Sequence, residues 1–119
     1  MKIAVTSQGR ELDSRVDPRF GRAAYILIVD SETMTFEVLD NRENVNSLKG
    51  AGIQAAADVH NKGAVVLLTG FCGPNAFKTL NAAGVKVAND ASGTVREAVQ
   101  AFLDGRLSFA DKENVEGNW

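Results

Sequence analysis

The chain has 119 residues, a length that suits one domain with a single hydrophobic core. Hydrophobic residues make up 45% of it and charged residues 24%, the balance of an ordinary globular protein, which excludes the disordered and fibrous classes. The 13 basic and 15 acidic residues give a net charge of -2, so the overall charge provides no case for binding nucleic acid or an anionic membrane.

The compartment is indicated by two further features of the sequence. No apolar run approaches the roughly 18 to 20 residues of a membrane span, and the N-terminus leads into a strand pattern without a signal-peptide core. A lone Cys72 cannot form an intrachain disulfide, which fits a reducing compartment. We therefore expect a cytoplasmic protein with neither a membrane nor a nucleic-acid partner.

The first part of the chain predicts three strands and a long loop. Residues 2–6 are apolar and β-branched, as in a strand buried on both faces. Residues 7–22 show no periodicity and predict a loop, a kind of segment that is usually functional at this length; its arginines are Arg10, Arg15, Arg19 and Arg22. Residues 23–30 and 33–39 predict two antiparallel strands joined by a tight hairpin at Ser31 and Glu32.

The middle of the chain predicts a turn and then a helix. Residues 40–49 are polar and turn-like. Residues 50–61 have a helical pattern that ends at Lys62 and Gly63. The residues expected on one face of this helix are Ile53, Ala56, Ala57 and His60.

Residues 63–103 contain the order strand, turn, helix twice. The strands are predicted at 64–69 and 85–88, and the first helix at 75–83 with Ala76, Phe77 and Leu80 inward. The last helix opens with a capping box at Thr94 and Glu97, and its apolar face is Val95, Ala98, Val99, Phe102 and Leu103. Polarity then rises, so we expect one domain over residues 1–107 and a polar tail over 108–119.

This order of elements predicts a three-layer α/β/α fold. The hairpin comes first, and right-handed crossovers then place the last two strands parallel to the first. The result is a mixed five-stranded sheet in the order 3-2-1-4-5 with helices on both faces, the ribonuclease H-like layout. A flavodoxin-like or receiver-like fold needs a helix directly after strand one, where this chain has a loop and a hairpin.

In such sheets ligands lie beyond the carboxyl ends of the parallel strands, and the exposed amides of a helix start bind anions. We therefore expect a small anionic ligand between the two turns. Helix starts alone supply about 0.3 to 2 kcal/mol each, whereas micromolar binding needs about 8 kcal/mol, so arginine, a metal bond or apolar contact must add to them. The candidate residues are Ser7, Arg19, Phe20, Arg22, Thr69, Gly70, Phe71, Cys72, Gly73, Pro74, Asn75, Asn89, Ser92, Gly93 and Thr94.

Three segments together resemble the dinitrogenase iron-molybdenum cofactor biosynthesis family: VDPRFGRAAYILIVD, GAVVLLTGFCGPNAF and AAGVKVANDASGTVREAVQAFLDGRL. The resemblance extends from Met1 to about Leu107, as in a stand-alone member of the family. It implies a ribonuclease H-like domain that carries or helps to assemble a molybdenum-containing sulfide cluster, either Mo-Cu or Fe-Mo-S, held without covalent protein ligands. A protein that accepts or assembles the cluster is the implied partner, and no catalysis is implied.

Several residues keep two interpretations at this stage. Cys72 is either a soft metal ligand for copper or iron or a small packed residue, and a single cysteine cannot build a thiolate cage. His60 is either a ligand or a residue placed to suit the C-terminal dipole of its helix. Arg19 and Arg22 either fold over the ligand or lie in a solvated loop.

Two other functions compete with a cluster carrier. A nuclease on this fold needs carboxylates that converge on metal ions, with one on the central first strand, and residues 2–6 contain none. A binding module for a phosphorylated small molecule or a nucleotide would use the same turns, although no Walker motif or G-x-G-x-x-G supports it.

Overall fold

The computed structural model describes residues 1–45 and 51–110, and a mixed five-stranded sheet forms its centre. The strands are β1 (Lys2–Ser7), β2 (Tyr25–Asp30), β3 (Phe36–Asp40), β4 (Val66–Leu68) and β5 (Lys86–Ala88). Their order is β3-β2-β1-β4-β5, with β1 antiparallel to β2 and parallel to β4, and β4 parallel to β5. The predicted ribonuclease H-like sheet is confirmed.

Helices cover both faces of the sheet. They are α1 (Arg42–Val45), α2 (Ala51–Asn61), α3 (Pro74–Ala82) and α4 (Val95–Leu103). One core cluster joins α2 and α3 to the sheet, and a second joins α4 and part of the long loop to the opposite face. Each large side chain fully buried in these clusters stabilises the fold by about 1.5 to 3 kcal/mol, so the sheet is a rigid platform for the loops at its ends.

The α3 and α4 predictions hold in most details. Ala76, Phe77 and Leu80 are buried as expected, and the capping box of α4 is present. On α4 the buried residues are Val95, Ala98 and Val99, whereas Leu103 is 43% exposed. The prediction that Leu103 faces inward is wrong, because the helix ends there and the described chain turns away.

The predicted face of α2 is partly correct. Ala56 is buried as predicted, together with Ala55 and Val59, and Ala57 is half-buried. The predictions for Ile53, which is 46% exposed, and His60, which is exposed, are wrong. The helix is alanine-rich and packs closely on α3, where a Cβ at Gly52 would lie 3.0 Å from the Cβ of Ala76. Small side chains allow this approach, and the larger Ile53 remains outside.

The hairpin between β2 and β3 is wider than predicted. Its connection runs over residues 31–35, because Met34 adopts a left-handed backbone (φ 60°) and the amide of Asp30 donates to the carbonyl of Thr35. β3 therefore begins at Phe36 and extends to Asp40, where a turn had been expected. The residues after Asn41 form the short helix α1, while the rest of the predicted turn and the helix start at Gly50 lie outside the described residues.

The residues just after Leu107 pair with the sheet. Phe109 forms an antiparallel bridge with Ala88, and the amide of Ala110 donates to the carbonyl of Val87 at 2.7 Å. The Phe109 ring also lies 5.6 Å from that of Phe102. The predicted domain boundary at 107 stays a prediction, and residues 111–119 lie outside the described part of the chain.

Candidate anion site at the strand ends

The ends of β1, β4 and β5 meet at one rim of the sheet. Val5 pairs with Leu68, and Leu68 with Ala88, so the next residues Thr6, Thr69 and Asn89 follow one another across the rim. The two turns are joined directly: the amide of Asp90 donates to the carbonyl of Gly70 at 3.2 Å, and that of Ala91 to the carbonyl of Thr69 at 3.0 Å. The predicted juxtaposition of the two turns is present.

The arginine-containing loop over residues 7–22, which we call the strap, is hydrogen-bonded to the turn after β4. The amide of Phe71 donates to the carbonyl of Pro18 at 2.6 Å, and the amide of Phe20 donates to the carbonyl of Phe71 at 3.0 Å. A Cβ at Gly70 would lie 2.6 Å from the oxygen of Pro18, closer than real Cβ contacts occur. Only glycine therefore allows the loop to lie this close.

The same loop also contacts the start of α4. The amide of Val16 donates to the carbonyl of Gly93 at 2.8 Å, and Arg15 forms a bridge with Thr94. Leu12 and Val16 are buried in the α4 core cluster. The strap therefore makes hydrogen bonds to both turns.

The first amides of α4 all have protein acceptors. Glu97 Oε1 accepts from the amide of Thr94 at 2.9 Å, and Thr94 Oγ1 accepts from the amide of Glu97 at 3.1 Å. The amides of Val95 and Arg96 donate to carbonyls of the strap, those of Ser14 and Leu12, each at 2.9 Å. The expectation that this helix start offers free amides is therefore wrong, because the capping box and the strap occupy them.

The start of α3 is different. Its N-cap is Gly73, no side chain caps it, and Pro74 at the first position has no amide proton. Within the described residues no backbone carbonyl accepts from the amides of Asn75 or Ala76. These two donors lie at the positive end of the helix dipole, so the start of α3 is the candidate anion-binding position at the rim.

Asn89 contributes an unpaired polar atom to the rim. Its side chain is 9% exposed, and its Oδ1 has no hydrogen-bond partner among the described residues. Neighbouring Thr69 and Thr6 are fully buried, with their hydroxyl oxygens 3.0 Å apart. The next residue, Asp90, has a left-handed backbone with φ 66°, which turns the chain back toward the β4 turn.

The remaining candidate site residues differ in how exposed their side chains are. Phe71 is 36% exposed beside the α3 start, whereas Phe20 is 4% exposed and packs in the core cluster. Arg19 and Arg22 are exposed. Ser7 is buried, and its hydroxyl donates to the carbonyl of Gly9 at 2.7 Å. The structure thus places the arginines and Phe71 at the surface of the rim and puts Phe20 beneath it.

Cys72 is fully buried in the core cluster under α3, and its thiol donates weakly to the carbonyl of Gly73 at 3.8 Å. Within residues 1–45 and 51–110, no group of three or more His, Cys, Asp or Glu is placed to hold a metal ion. His60 lies in the last turn of α2, before β4 begins, and hence at the opposite end of the sheet. This burial matches the interpretation of Cys72 as a packed residue.

A charged cluster at the same rim was missed from the sequence. Arg10 and Arg42 lie with their guanidinium carbons 5.2 and 5.5 Å from the ring centre of Tyr25. The Arg42 guanidinium also pairs with Asp40 at 2.6 Å, and its hydrogen bond lowers the pKa of Asp40 to about 2. Arg10, Tyr25 and the Asp40–Arg42 pair are distant from one another in sequence, and the pairing of Tyr25 with Ser7 and Asp40 brings them together.

The fold and the rim define a ribonuclease H-like α/β protein with a candidate anion site at the ends of its central strands. The chain belongs to the dinitrogenase iron-molybdenum cofactor family, whose model matches residues 1–105. No match is found among curated proteins.

Solved structures agree with this assignment. The apo form of the orange protein from Desulfovibrio gigas is 51% identical over 96% of each chain, with a TM-score of 0.93. A Thermotoga protein with a provisional NifB assignment is 40% identical over 98% of each chain, with a TM-score of 0.84. A Methanocaldococcus jannaschii protein with a provisional dinitrogenase assignment is 15% identical, covers 94% of this chain and 96% of its own, and shares the fold with a TM-score of 0.68.

Proposed function

We propose that this protein is a non-catalytic carrier of a preformed molybdenum-containing metal-sulfur cluster, which it holds noncovalently at the start of α3. The observation that carries the proposal is the uncapped α3 start, with the amides of Asn75 and Ala76 unoccupied beside the strapped arginine loop. Membership in the cofactor family and similarity to the orange protein support this choice of cargo.

The chemistry of the rim suits such a cargo. A metal-sulfide cluster is a bulky, soft anion whose sulfides accept weak hydrogen bonds and tolerate apolar contact. Backbone amides and arginines provide donors, and the partly exposed ring of Phe71 provides an apolar wall. The buried thiol of Cys72 leaves the guest without a cage of thiolates, so the cluster must arrive assembled.

The helix start alone does not supply the binding free energy that retention of the guest requires. A favourable helix terminus is worth up to about 2 kcal/mol, and micromolar retention needs about 8 kcal/mol. Charge-assisted hydrogen bonds from arginine contribute about 1.5 to 3 kcal/mol each. We therefore assign Arg19 and Arg22, which flank the strap contact at Phe20, to the guest.

A carrier must also release its cargo. A cluster held by hydrogen bonds and apolar contact leaves without breaking a metal-protein bond, which suits transfer to an accepting or assembling protein. We propose that such a protein is the physiological partner, in cluster assembly or storage. A Mo-Cu and an Fe-Mo-S cluster are the two candidate cargoes, and the cytoplasmic location stays a prediction from the sequence.

Reconstitution tests the proposal. The purified protein is incubated with tetrathiomolybdate and copper(I), and separately with tetrathiomolybdate and iron(II), then passed through gel filtration while visible absorption is followed. A coloured protein band with a fixed metal ratio is expected, and the metals retained identify the cargo. A colourless protein band in both mixtures would contradict the proposed function.

Arginine variants locate the guest in the same assay. The double variant Arg19→Ala, Arg22→Ala should retain the cluster about a hundredfold less well or worse, because two charge-assisted contacts are lost. Arg106→Ala is the matched control, since Arg106 is also exposed and lies after α4, where it pairs with Asp104. Equal retention by the double variant and the control would exclude the strap from the site.

One alternative function is favoured by the same helix start. An uncapped helix also binds phosphate, so a phosphorylated small molecule or a nucleotide is the competing ligand. Retention of a nucleotide in the gel-filtration assay, without retention of any thiomolybdate species, would select that alternative.

A further inference from the structure

The unpaired oxygen of Asn89 needs a physical explanation. A buried acceptor without a partner destabilises the folded protein, and native proteins contain few of them. Among the side chains of the described residues, Asn89 Oδ1 is the buried polar atom without a hydrogen-bond partner. Proteins tolerate such groups at functional sites, so Asn89 is a candidate contact for a ligand.

The register of β5 places Asn89 on the side of the sheet that carries α3. Side chains alternate along a strand: Val87 packs in the cluster that contains α3, and Ala88 packs in the cluster of the opposite face. By this alternation the side chain of Asn89 lies on the same side of the sheet as Val87 and α3. The hydrogen bond from the amide of Asp90 to the carbonyl of Gly70 then holds it beside the turn that leads into α3.

The neighbouring side chains do not supply the missing proton. Thr6 Oγ1 lies 2.6 Å from the carbonyl oxygen of Asp17 and 3.0 Å from Thr69 Oγ1. The hydroxyl of Thr6 is the donor in both contacts. Neither this hydroxyl nor that of Thr69 is a hydrogen-bond partner of Asn89 Oδ1.

We infer that Asn89 is a recognition residue of the site and accepts a hydrogen bond from the bound guest. The inference rests on the proposed function and narrows its substrate class. The guest is an anion that also carries a donor: a protonated sulfide, or a hydroxyl or water bound to one of its metals. The amides of Asn75 and Ala76 bind its negative atoms, and Asn89 binds its proton.

Such an arrangement selects between guests of equal charge. An anion with a proton satisfies Asn89, whereas an anion without one places its own lone pairs against an unpaired acceptor. Sites with buried polar groups discriminate strongly against ligands that leave those groups unpaired. Asn89 therefore distinguishes guests by protonation, which the helix start alone does not do.

Inorganic phosphate and sulfate form a matched pair of probes. At mildly alkaline pH both are tetrahedral dianions, but only phosphate keeps a proton. Titrations of the wild-type protein are followed by the NMR shifts of the amides of Asn75 and Ala76. Phosphate should bind about three to ten times more tightly than sulfate, the value of one hydrogen bond; equal binding, or tighter binding of sulfate, overturns the inference.

The variant Asn89→Leu provides the second readout. Phosphate binding should weaken to the level of sulfate, and the variant without ligand should unfold at a higher urea concentration, because the unpaired acceptor is gone. Asn81→Leu, at the exposed far end of α3, is the control and should keep the preference. A lower urea midpoint with the phosphate preference intact would assign Asn89 a structural role only and overturn the inference.

The two proposals fail separately. Retention of the thiomolybdate cluster together with equal binding of phosphate and sulfate overturns the role of Asn89 and leaves the carrier function in place. A preference for phosphate that disappears in Asn89→Leu supports the recognition role even if no cluster is retained.

Discussion

The two helix starts at the rim have the same position in the fold and opposite states. At α4, Thr94 and Glu97 cap each other and the strap takes the next two amides. At α3, Gly73 has no side chain to cap with, and Pro74 has no amide proton. The repeated order of strand, turn and helix therefore gives one closed helix start that stabilises the fold and one open start that is available to a ligand.

The difference comes from single residues rather than from the topology. A threonine at the N-cap accepts from the amide three residues later, and a glutamate at that later position accepts from the amide of the threonine. A glycine at the N-cap leaves those amides to the solvent or to a guest. Each of the predictions below exchanges or removes one property of these two starts.

Gly70→Ala should have the largest effect. The new Cβ would lie 2.6 Å from the oxygen and 2.8 Å from the Cα of Pro18, both backbone atoms, so the strap must move. We expect a loss of about 1 to 3 kcal/mol in the free energy of unfolding, together with loss of cluster retention. Urea denaturation and gel filtration measure the two effects.

Gly73→Ala is the matched glycine control, because a Cβ at this position would have nothing within 4 Å and the backbone φ is -70°. Its stability should stay close to that of the wild type. If both alanine variants behaved alike, the close approach at Gly70 would not be what holds the strap.

Gly73→Asp should close the open start. The backbone of Gly73 already has the extended conformation of an N-cap, so the carboxylate accepts from the amides at the start of α3. Stability should rise by only a few tenths of a kcal/mol, while retention of the anionic guest falls about tenfold or more. Retention by Gly73→Asp equal to that by Gly73→Ala would place the guest elsewhere.

Thr94→Ala should open the closed start without creating a site. Loss of this cap costs about 1 kcal/mol in the free energy of unfolding, which a lower urea midpoint would report. Retention of the cluster should be unchanged, because the strap still occupies the amides of Val95 and Arg96. A large drop in retention would show that α4 also contacts the guest.

Glu97→Gln should have the smallest effect, and it should depend on pH. The hydrogen bonds from Thr94 lower the pKa of Glu97 below its ordinary value of 4.5. Since the folded pKa is the lower one, the charged carboxylate stabilises the fold above pH 4.5, and this contribution disappears as the pH falls through the folded pKa. The urea midpoints of wild type and variant should differ near neutral pH and converge in acid; a difference independent of pH would contradict this.

The parts of the fold that followed from the sequence carry strong local signals. Val95, Ala98 and Val99 lie at helical spacing behind a capping box, and α4 forms as predicted. The order of the elements and the handedness of the crossovers were sufficient for the sheet. The face of α2 could not be read in the same way, because its alanines suit either side of a helix and only the close contact at Gly52 decides which side is buried.

The sequence predicted that the two turns lie side by side, but not which of their amides have protein acceptors. Glycine-rich turns at two strand ends indicated this juxtaposition, which the hydrogen bonds between the turns confirm. Which amides remain free depends on Ser14 and Leu12, whose carbonyls reach α4 from a loop without periodicity. The missing partner of Asn89 likewise depends on which side chains the folded chain brings within reach of its Oδ1, a three-dimensional property without a sequence signature.

The pairing of Phe109 with Ala88 bears on how the protein behaves at high concentration. An uncovered outer strand can pair with a strand of another chain, and here residues after Leu107 pair with β5. Within the described chain β3 is the sheet edge left uncovered, and it carries the charged Glu37 and Asp40. Pairing between molecules would therefore use β3 rather than β5, so the start of α3, where we propose that the cluster is held, would stay accessible in concentrated protein.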